Sequence, residues 1–224
     1  VKLYSKNSNE KIYNALNSLA PNIPLLNSIE AVRTCESRKK TFMLMQTRCK
    51  EIKIPEFYST RDEVLVALSS NKKIIIKLDS HNPEHIKKED RILGIVSNQK
   101  EFSTILSQYD FDEIFFQEYM GKFDIIYKVY VINNWIVSIT STDRLQGDKH
   151  LSPLDLVHLR VSIDEMLKNH ILKIGKQFRM SIFGIDYVIK NNVPYIIDIN
   201  DFPSFRRIPE AVSLISDYMY NLLT

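Results

Sequence analysis

Two neighbouring segments decide the fold of this chain: Ile182-Phe-Gly-Ile-Asp-Tyr-Val-Ile189 and Tyr195-Ile-Ile-Asp-Ile-Asn-Asp-Phe-Pro-Ser204. Both are rich in β-branched and aromatic residues, and the polar pair Asn191-Asn192 between them tolerates tight-turn geometry, which predicts a β-hairpin. Asp198 and Asn200 are two residues apart on the second strand, so their side chains leave the same face. The antiparallel return then places Asp186 of the first strand beside them.

Three hard oxygen ligands therefore converge on one face of the predicted hairpin. Such a set suits Mg²⁺, which binds one or two carboxylates, keeps several waters and takes further oxygens from substrate phosphates. The alternative is a hairpin whose polar residues face water. The apolar run Ile-Ile-Asp198-Ile-Asn200 favours the metal, because burying an unpaired carboxylate among apolar neighbours is costly.

Length and composition limit the possible classes of protein. A chain of 224 residues with 44% hydrophobic content can bury a substantial core, as one domain or two closely joined ones. No apolar run reaches about 18 residues, which predicts no membrane span. The chain starts at Val1 without a signal-like segment, so we expect a cytoplasmic protein shown without its true N-terminus.

Charge and cysteine content exclude some further classes. The net charge of +3 is too small to indicate nucleic acid, but it is compatible with an anionic small molecule. Cys35 and Cys49 match no metal-binding spacing, and we expect reduced structural thiols.

The remaining chain alternates helices and strands without repeats. The predicted helices cover 28–50, 61–69, 98–108, 162–178 and 209–223, and the predicted strands or extended pieces cover 56–59, 73–77, 113–117 and a hairpin at 125–141 that turns at Asn133-Asn134. This order predicts an α+β fold built around antiparallel sheets. Two helices have predicted apolar faces: Ile163, Met166, Leu167, Ile171, Ile174 and Phe178 on the first, and Val212, Ile215, Met219 and Leu222 on the second.

Three further positions suggest a nucleotide site. Lys77 ends an apolar strand, where a cation suits phosphates, although a solvated strand end explains it almost as well. The segment Gln117-Glu-Tyr-Met120 follows a strand and offers backbone groups and apolar walls to an adenine edge. Lys128 lies in a strongly apolar strand, so it faces either solvent or a cleft.

Six segments in this order resemble an ATP-grasp enzyme: residues 27–38, Ile76-Lys77, Phe116-Gln-Glu-Tyr-Met120, Tyr127-Lys-Val-Tyr-Val-Ile132, Phe183-Gly-Ile-Asp186 and Asp198-Ile-Asn-Asp-Phe-Pro-Ser204. Within that superfamily, the chain is most similar to inositol phosphate kinases of the inositol 1,3,4-trisphosphate 5/6-kinase type. The resemblance implies two α/β subdomains with antiparallel sheets that enclose a nucleotide cleft. Residues 1–27 would be a remnant of a substrate domain, 28–120 the central subdomain and 121–224 the C-terminal subdomain.

The resemblance also implies roles for individual residues. Asp186, Asp198 and Asn200 would hold two Mg²⁺ ions that bridge the β- and γ-phosphates of ATP. Lys77 would contact the α- and β-phosphates, and Arg38 would reach the nucleotide. The adenine hinge would consist of Gln117, Glu118, Tyr119 and Met120.

The acceptor side is implied in the same way. Lys128 and Arg144 would hold the anionic substrate or the transferred phosphoryl group, and Lys2 would bind a substrate phosphate.

The chain departs from the family pattern at two loops. Where the family has a glycine-containing loop after the lysine, this chain has Leu78-Asp-Ser-His-Asn-Pro-Glu-His85 and no glycine before Gly94. His81 or His85 would then act as phosphate ligand or acid, or would simply be exposed to solvent. Ser204, Arg206 and Arg207 replace family glycines, and the two guanidiniums either clamp a phosphate or carboxylate or form an ordinary exposed pair.

Three functions remain open. The first is ATP- and Mg²⁺-dependent phosphoryl transfer to a phosphorylated polyol, the second a carboxylate–amine or carboxylate–thiol ligase with an acyl phosphate intermediate, and the third a nucleotide-binding module without catalysis. The two motifs at 183–186 and 198–203 favour the kinase over the ligase. The intact set of metal ligands disfavours the third. We expect ATP and an anionic small molecule as partners, and neither nucleic acid nor membrane.

Overall fold

The computed structural model describes residues 6–19, 25–81, 86, 89–142 and 158–223. The helices are α1 (Lys6–Leu19), α2 (Ile29–Cys35), α3 (Arg38–Arg48), α4 (Arg61–Ser69), α5 (Gln99–Leu106), α6 (Glu165–Phe178) and α7 (Ala211–Leu223). The strands are β1 (Phe57–Tyr58), β2 (Ile74–Leu78), β3 (Ile92–Val96), β4 (Ile114–Glu118), β5 (Ile125–Ile132), β6 (Trp135–Thr142), β7 (Arg160–Val161), β8 (Ile182–Lys190) and β9 (Val193–Asn200). Lys2, His85 and Arg144 lie outside the described residues, so their roles stay predictions.

The strands form two antiparallel sheets. The first has the order β1-β4-β2-β3, and the second has the order β7-β6-β5-β8-β9. Every pairing in both sheets is antiparallel. The α+β prediction is therefore confirmed.

Both predicted hairpins are present in the second sheet. β5 turns into β6 at Asn133, whose φ is 53°, and β8 turns into β9 at Asn191 and Asn192, whose φ values are 52° and 61°. Asparagine is the non-glycine residue that best tolerates this left-handed conformation. Both hairpins therefore turn at the asparagines from which the sequence predicted the turns.

The single helix predicted over 28–50 is wrong, because the structure has two helices there. α2 ends at Cys35, and α3 begins after Ser37, which has an extended backbone and accepts a hydrogen bond from Lys40 N. The hydroxyl of Ser37 donates to the carboxylate of Asp79, which follows β2. A contact from a distant part of the chain thus breaks a pattern that local sequence reads as continuous.

Helices pack on both sheets, and α7 lies on the face of the second sheet opposite the one that α2, α3 and α6 cover. The first sheet carries a core with α4 and α5 that includes Val64, Phe102 and Phe116. The second sheet packs against α2, α3 and α6 through Val129, Ile171 and Ile185 among others. Helices α2 and α3, predicted to belong to the central subdomain, thereby cover the sheet of the C-terminal one.

Both cysteines are free and buried, as predicted. Cys35 Sγ lies 3.7 Å from Met180 Sδ, and Cys49 packs in the core of the second sheet. Burial raises the pKa of the Cys49 thiol to about 11, because the thiolate would lose its hydration. Neither thiol is suited to act as a nucleophile at neutral pH.

Parts of the two predicted apolar helix faces are wrong. Met166 of α6 is 60% exposed, and Val212 of α7 is 77% exposed. α7 instead contacts the core through Ala211, which is buried, and through its partly buried neighbours Leu214, Ile215 and Tyr218. The helix covers only one end of the second sheet, so only a narrow stripe of it finds a partner.

No helix in the described part of the chain combines the length and apolar character that crossing a bilayer requires.

Candidate active site

One face of the second sheet carries the predicted metal ligands. Lys128 of β5 lies opposite Asp186 of β8, Asp186 lies opposite Asp198 of β9, and Gly184 lies opposite Asn200. Directly opposed residues in an antiparallel pair point to the same face. The prediction that Asp186, Asp198 and Asn200 share a face is therefore confirmed.

A β-bulge shapes the strand just before Asp198. The register shifts between Asp186 and Tyr187, because Asp186 pairs with Asp198 while Tyr187 pairs with Ile196. Ile197 is the extra residue. The bulge lets Ile196 and Ile199, three positions apart, both enter the core, while Asp198 stays on the opposite face.

The two carboxylates are paired with cations. Lys128 forms an ion pair with Asp186, and the two side chains are 20% and 21% exposed. His81 Nε2 lies 3.0 Å from Asp198 Oδ1, and Arg38 Nε lies 3.8 Å from the same oxygen. His81 follows β2 of the first sheet, so its contact with Asp198 of β9 joins the two sheets, and Arg38 reaches the same oxygen from the start of α3.

Electrostatics at Asp198 favour the charged carboxylate. Burial alone would raise its pKa, but the positive charges of His81, Arg38 and Lys77 outweigh this and hold the pKa well below its usual range. Asp198 is therefore an anion at any physiological pH.

Several buried polar atoms at this contact lack a hydrogen bond of good geometry. They include Asp198 Oδ1, His81 Nε2 and Arg38 Nε, although the ion-pair distances among them are short. Buried polar atoms normally find partners, and an unsatisfied carboxylate oxygen is suited to a cation. The described residues contain no group of three or more His, Cys, Asp and Glu side chains arranged for a metal. A divalent ion here would thus rely on two carboxylates, the Asn200 amide and oxygens from a substrate.

Lys77 lies on the face of the first sheet opposite the core formed with α4 and α5. Its Nζ donates to Gln117 Oε1 at 2.9 Å. Gln117 is only 1% exposed, and its Nε2 is buried without a partner in the described structure. Neighbouring β2 and β4 place the two side chains together on the face opposite the Ile76 and Phe116 core.

The predicted adenine hinge consists of the last two residues of β4, Gln117 and Glu118, and the two residues after it. Glu118 N donates to Glu56 O and Tyr119 N donates to Lys73 O, each at 2.7 Å, so the start of the segment is fixed. A cavity of about 610 Å³ adjoins it. Its lining is made of Asn71, Lys72, Lys73, Glu118, Tyr119, Met120, Gly121 and Lys122.

The loop after Asn200 packs directly on β8. A Cβ atom added to Gly184 would lie 2.9 Å from Pro203 Cβ and Cγ, so only glycine leaves room for the proline. Ser204 and Arg206 are exposed, and Arg207 Nη1 lies 3.1 Å from His158 Nδ1. The structure therefore places the predicted arginine pair on an exposed loop beside the strand that carries Asp186.

Sequence reasoning missed two residues that build the site. Asn27 is buried with φ of 48°, donates to Ile182 O at 2.6 Å and to Asp201 O, and accepts from Ser181 N and Ile182 N. It ties the start of β8 to the loop after β9. Asp79 holds the junction of α2 and α3. For Asn27, the only sequence signal is its position just before Ser28, the cap residue of α2.

Comparisons with known proteins find the same architecture. No protein-family profile and no curated protein matches the chain. Among solved structures, the D-alanine–D-alanine ligase from Bacillus anthracis complexed with ATP is similar, at 14% identity and a TM-score of 0.67, over 94% of this chain and 74% of that chain.

Two further similar structures involve peptides. The macrocyclase MdnC from Microcystis aeruginosa MRC, bound with precursor peptide MdnA, gives a TM-score of 0.69 at 11% identity, over 96% of this chain and 71% of that one. The ATP-grasp ligase PsnB, complexed with a variant of its minimal precursor, Mg and ADP, gives 0.63 at 11% identity, over 97% and 72%. These likenesses bear on the fold, and similarity to inositol phosphate kinases stays a prediction. The two antiparallel sheets with their helices are an ATP-grasp fold.

Proposed function

We propose that this chain is an ATP- and Mg²⁺-dependent ligase that activates a carboxylate as an acyl phosphate and joins it to a nucleophile. One observation carries the proposal: Arg38 at the start of α3 and His81 in the loop after β2 meet Asp198 of β9 at 3.8 and 3.0 Å. Cations and a carboxylate thus face each other across the cleft where this fold class would place a nucleotide.

The charge of the cleft suits a polyphosphate. Lys77, Arg38 and His81 surround a single carboxylate, Asp198, and all act to lower its pKa. Buried donor atoms of Arg38, His81 and Gln117 make no hydrogen bond of good geometry in the described structure. A triphosphate would satisfy such donors with charge-assisted hydrogen bonds. We therefore assign Lys77 and Arg38 to the phosphates of ATP.

Asp186, Asp198 and Asn200 are the residues that would hold Mg²⁺. They offer hard oxygen atoms on one face of the β8–β9 hairpin, and Asp198 Oδ1 is a buried acceptor whose contacts with His81 and Arg38 are not hydrogen bonds of good geometry. When bound there, the ion supplies charge neutralisation to the β- and γ-phosphates. The Lys128 ammonium now pairs with Asp186. With Mg²⁺ bound to Asp186, Lys128 would instead pair with the transferred phosphoryl group.

The reaction needs positioning more than covalent chemistry from the protein. A carboxylate oxygen of the acceptor attacks the γ-phosphorus, the bond to the bridging oxygen breaks, and ADP leaves. A nucleophile such as an amine then attacks the acyl carbon, expels inorganic phosphate and loses a proton. Lys77 and Lys128 balance negative charge on either side of the γ-phosphorus, and His81 orients Asp198.

The ligase is favoured over the kinase by the proteins that share the fold. Two of the similar structures are named as ligases, one with ATP and one with Mg and ADP. A kinase would begin with the same attack on the γ-phosphorus, by a hydroxyl rather than a carboxylate. The precursor peptides bound in two of these structures extend the acceptor candidates from small acids to acidic peptides.

Hydroxylamine trapping distinguishes the two reactions. We would incubate the protein with Mg-ATP, hydroxylamine and a panel of amino acids, acidic peptides and inositol phosphates. An acyl phosphate reacts to a hydroxamate, whereas a phosphate ester of a polyol does not. We expect ADP, phosphate and hydroxamate in equal amounts with one class of carboxylate.

The outcomes separate the proposals. Transfer of γ-labelled phosphate to a stable inositol phosphate would replace the ligase by the kinase. Failure of millimolar Mg-ATP to raise the melting temperature would refute all three functions, because each requires nucleotide binding and a ligand at 100 times its Kd adds about 2.7 kcal/mol of stability.

A further inference from the structure

A buried carboxylate lies at the point where α2, α3 and the end of β2 meet. We call this meeting point the corner, and it consists of residues 36–39 and 78–81. Asp79 is 3% exposed there. Burying an unpaired carboxylate is costly, so the contacts of Asp79 indicate its role.

The carboxylate of Asp79 binds the start of α3. Oδ2 accepts from Ser37 Oγ at 2.7 Å, and Oδ1 accepts from Lys39 N at 2.8 Å. α3 runs over 11 residues, so its N-terminal amides also favour a negative charge at this place. The carboxylate therefore fixes where α3 begins.

The backbone of Asp79 completes the corner. Arg38 N donates to Asp79 O at 2.9 Å, and Asp79 N donates to Glu113 O at 2.8 Å. His81 N donates to Glu36 O at 3.1 Å. The loop after β2 and the α2–α3 junction are thus linked in both directions.

Arg38 and His81 belong to the two segments that form this corner. Arg38 Nη1 donates to Leu78 O at 2.6 Å and to Ser80 O at 3.1 Å, which leaves its Nε toward Asp198 at 3.8 Å. The His81 imidazole is 4% exposed and reaches Asp198 at 3.0 Å. The side chains of Arg38 and His81, which both reach Asp198, therefore come from the two segments that Asp79 links.

We propose that Asp79 is a positioning residue that sets Arg38 and His81 onto Asp198. It acts through them on the use of Mg-ATP, and this second consequence rests on the proposed function.

The first experiment reads the contact without any ligand. A double-mutant cycle measures the coupling free energy between His81 and Asp198. It uses the free energies of unfolding in urea of wild type, His81→Ala, Asp198→Asn and the double variant. The same cycle is then measured in the Asp79→Ala background. We expect the coupling to fall to less than about half, because an unheld His81 no longer reaches the carboxylate.

The second experiment reads the consequence in the enzyme. Asp79→Ala is expected to raise the KM for Mg-ATP at least about tenfold, and the effect should shrink when Arg38 is already alanine. Asp79→Asn keeps an acceptor for Lys39 N and should fall between wild type and alanine. It also serves if Asp79→Ala does not fold.

Asp164→Ala is the matched control. Asp164 caps α6 by accepting from Leu167 N at 2.7 Å, far along the chain from the corner. We expect it to lower stability and to leave both the coupling and the KM unchanged. An unchanged His81–Asp198 coupling in the Asp79 variants would overturn the proposal. A lost coupling in a protein that binds no ATP would support the positioning role and refute only the proposed function.

Discussion

Replacing Gly184 with alanine tests whether the packing of Pro203 on Gly184 positions the end of β9. The new Cβ would lie 2.9 Å from Pro203 Cβ and Cγ and 3.4 Å from Val129 O. Carbon atoms in contact prefer separations near 3.6 Å, so the loop carrying Pro203 must move by roughly 0.7 Å. That loop begins at Asn200, which lies directly opposite Gly184.

The size of the effect follows from the overlap. Overpacking of this kind costs about 1–3 kcal/mol, which for a chain of this length lowers Tm by roughly 2–12 °C. A shift of Asn200 by a sizeable part of an ångström should also reduce turnover at limiting Mg²⁺ by about tenfold or more, because misplacement near 1 Å costs up to 100-fold.

Gly175→Ala is a suitable comparison for this variant. Its Cβ would lie 2.7 Å from Phe183 Cε1, on the opposite, core-facing side of β8. We expect a loss of Tm from both variants, measured by calorimetry, but a change in the Mg²⁺ dependence of ATP turnover from Gly184→Ala only. Equal Mg²⁺ dependence in the two variants would refute the link between Pro203 and the proposed metal ligands.

Asp198→Asn should lower turnover by at least about 100-fold with the fold retained by circular dichroism, and Asp217→Asn on exposed α7 should change nothing; equal losses would refute the site. Asn27→Ala should lower the free energy of unfolding in urea by about 2–4 kcal/mol, because it leaves buried backbone groups unpaired, and an unchanged value would contradict this. The raised pKa of Cys49 contributes stability that is fully present below the ordinary thiol value of 9.0 and is lost as pH rises toward about 11. Alkaline unfolding curves should therefore flatten above pH 9 in Cys49→Ala, and iodoacetamide at pH 8 should modify the folded thiol far more slowly than the thiol in urea.

Local signals were sufficient for the hairpin and for its polar face. The alternation in β8 and β9 and the turn at Asn191 carry their information within a few residues, and the observed register pairs Asp186 with Asp198 as the alternation requires. Period-two patterns fix the face of a side chain without reference to the rest of the chain. The shared face of Asp186, Asp198 and Asn200 was predictable for this reason.

The partners of those carboxylates were not predictable in the same way. His81 reaches Asp198 across more than a hundred residues, and Asp79 interrupts a helix whose own sequence reads as continuous. Such contacts depend on how two sheets are placed, which no periodicity encodes. The sequence identified His81 as a candidate, but its neighbours became visible only in three dimensions.

The apolar face of α7 shows the same limit for packing. Helical spacing correctly groups Val212 with Met219, yet they are 77% and 47% exposed, whereas Ala211 is buried. The direction from which a helix meets its sheet is a property of the whole fold. An amphipathic pattern therefore predicts a helix more safely than it predicts which side is covered.

The bulge before Asp198 has a consequence for how this molecule meets copies of itself. β9 is the outermost strand of its sheet, and a regular outer strand is a template for pairing with another chain. Ile197 interrupts the regular ladder, and Ile196 N already donates to Lys53 O at 2.9 Å, from the segment that follows α3. The irregularity beside Asp198 thus also makes this edge a poor starting point for aggregation.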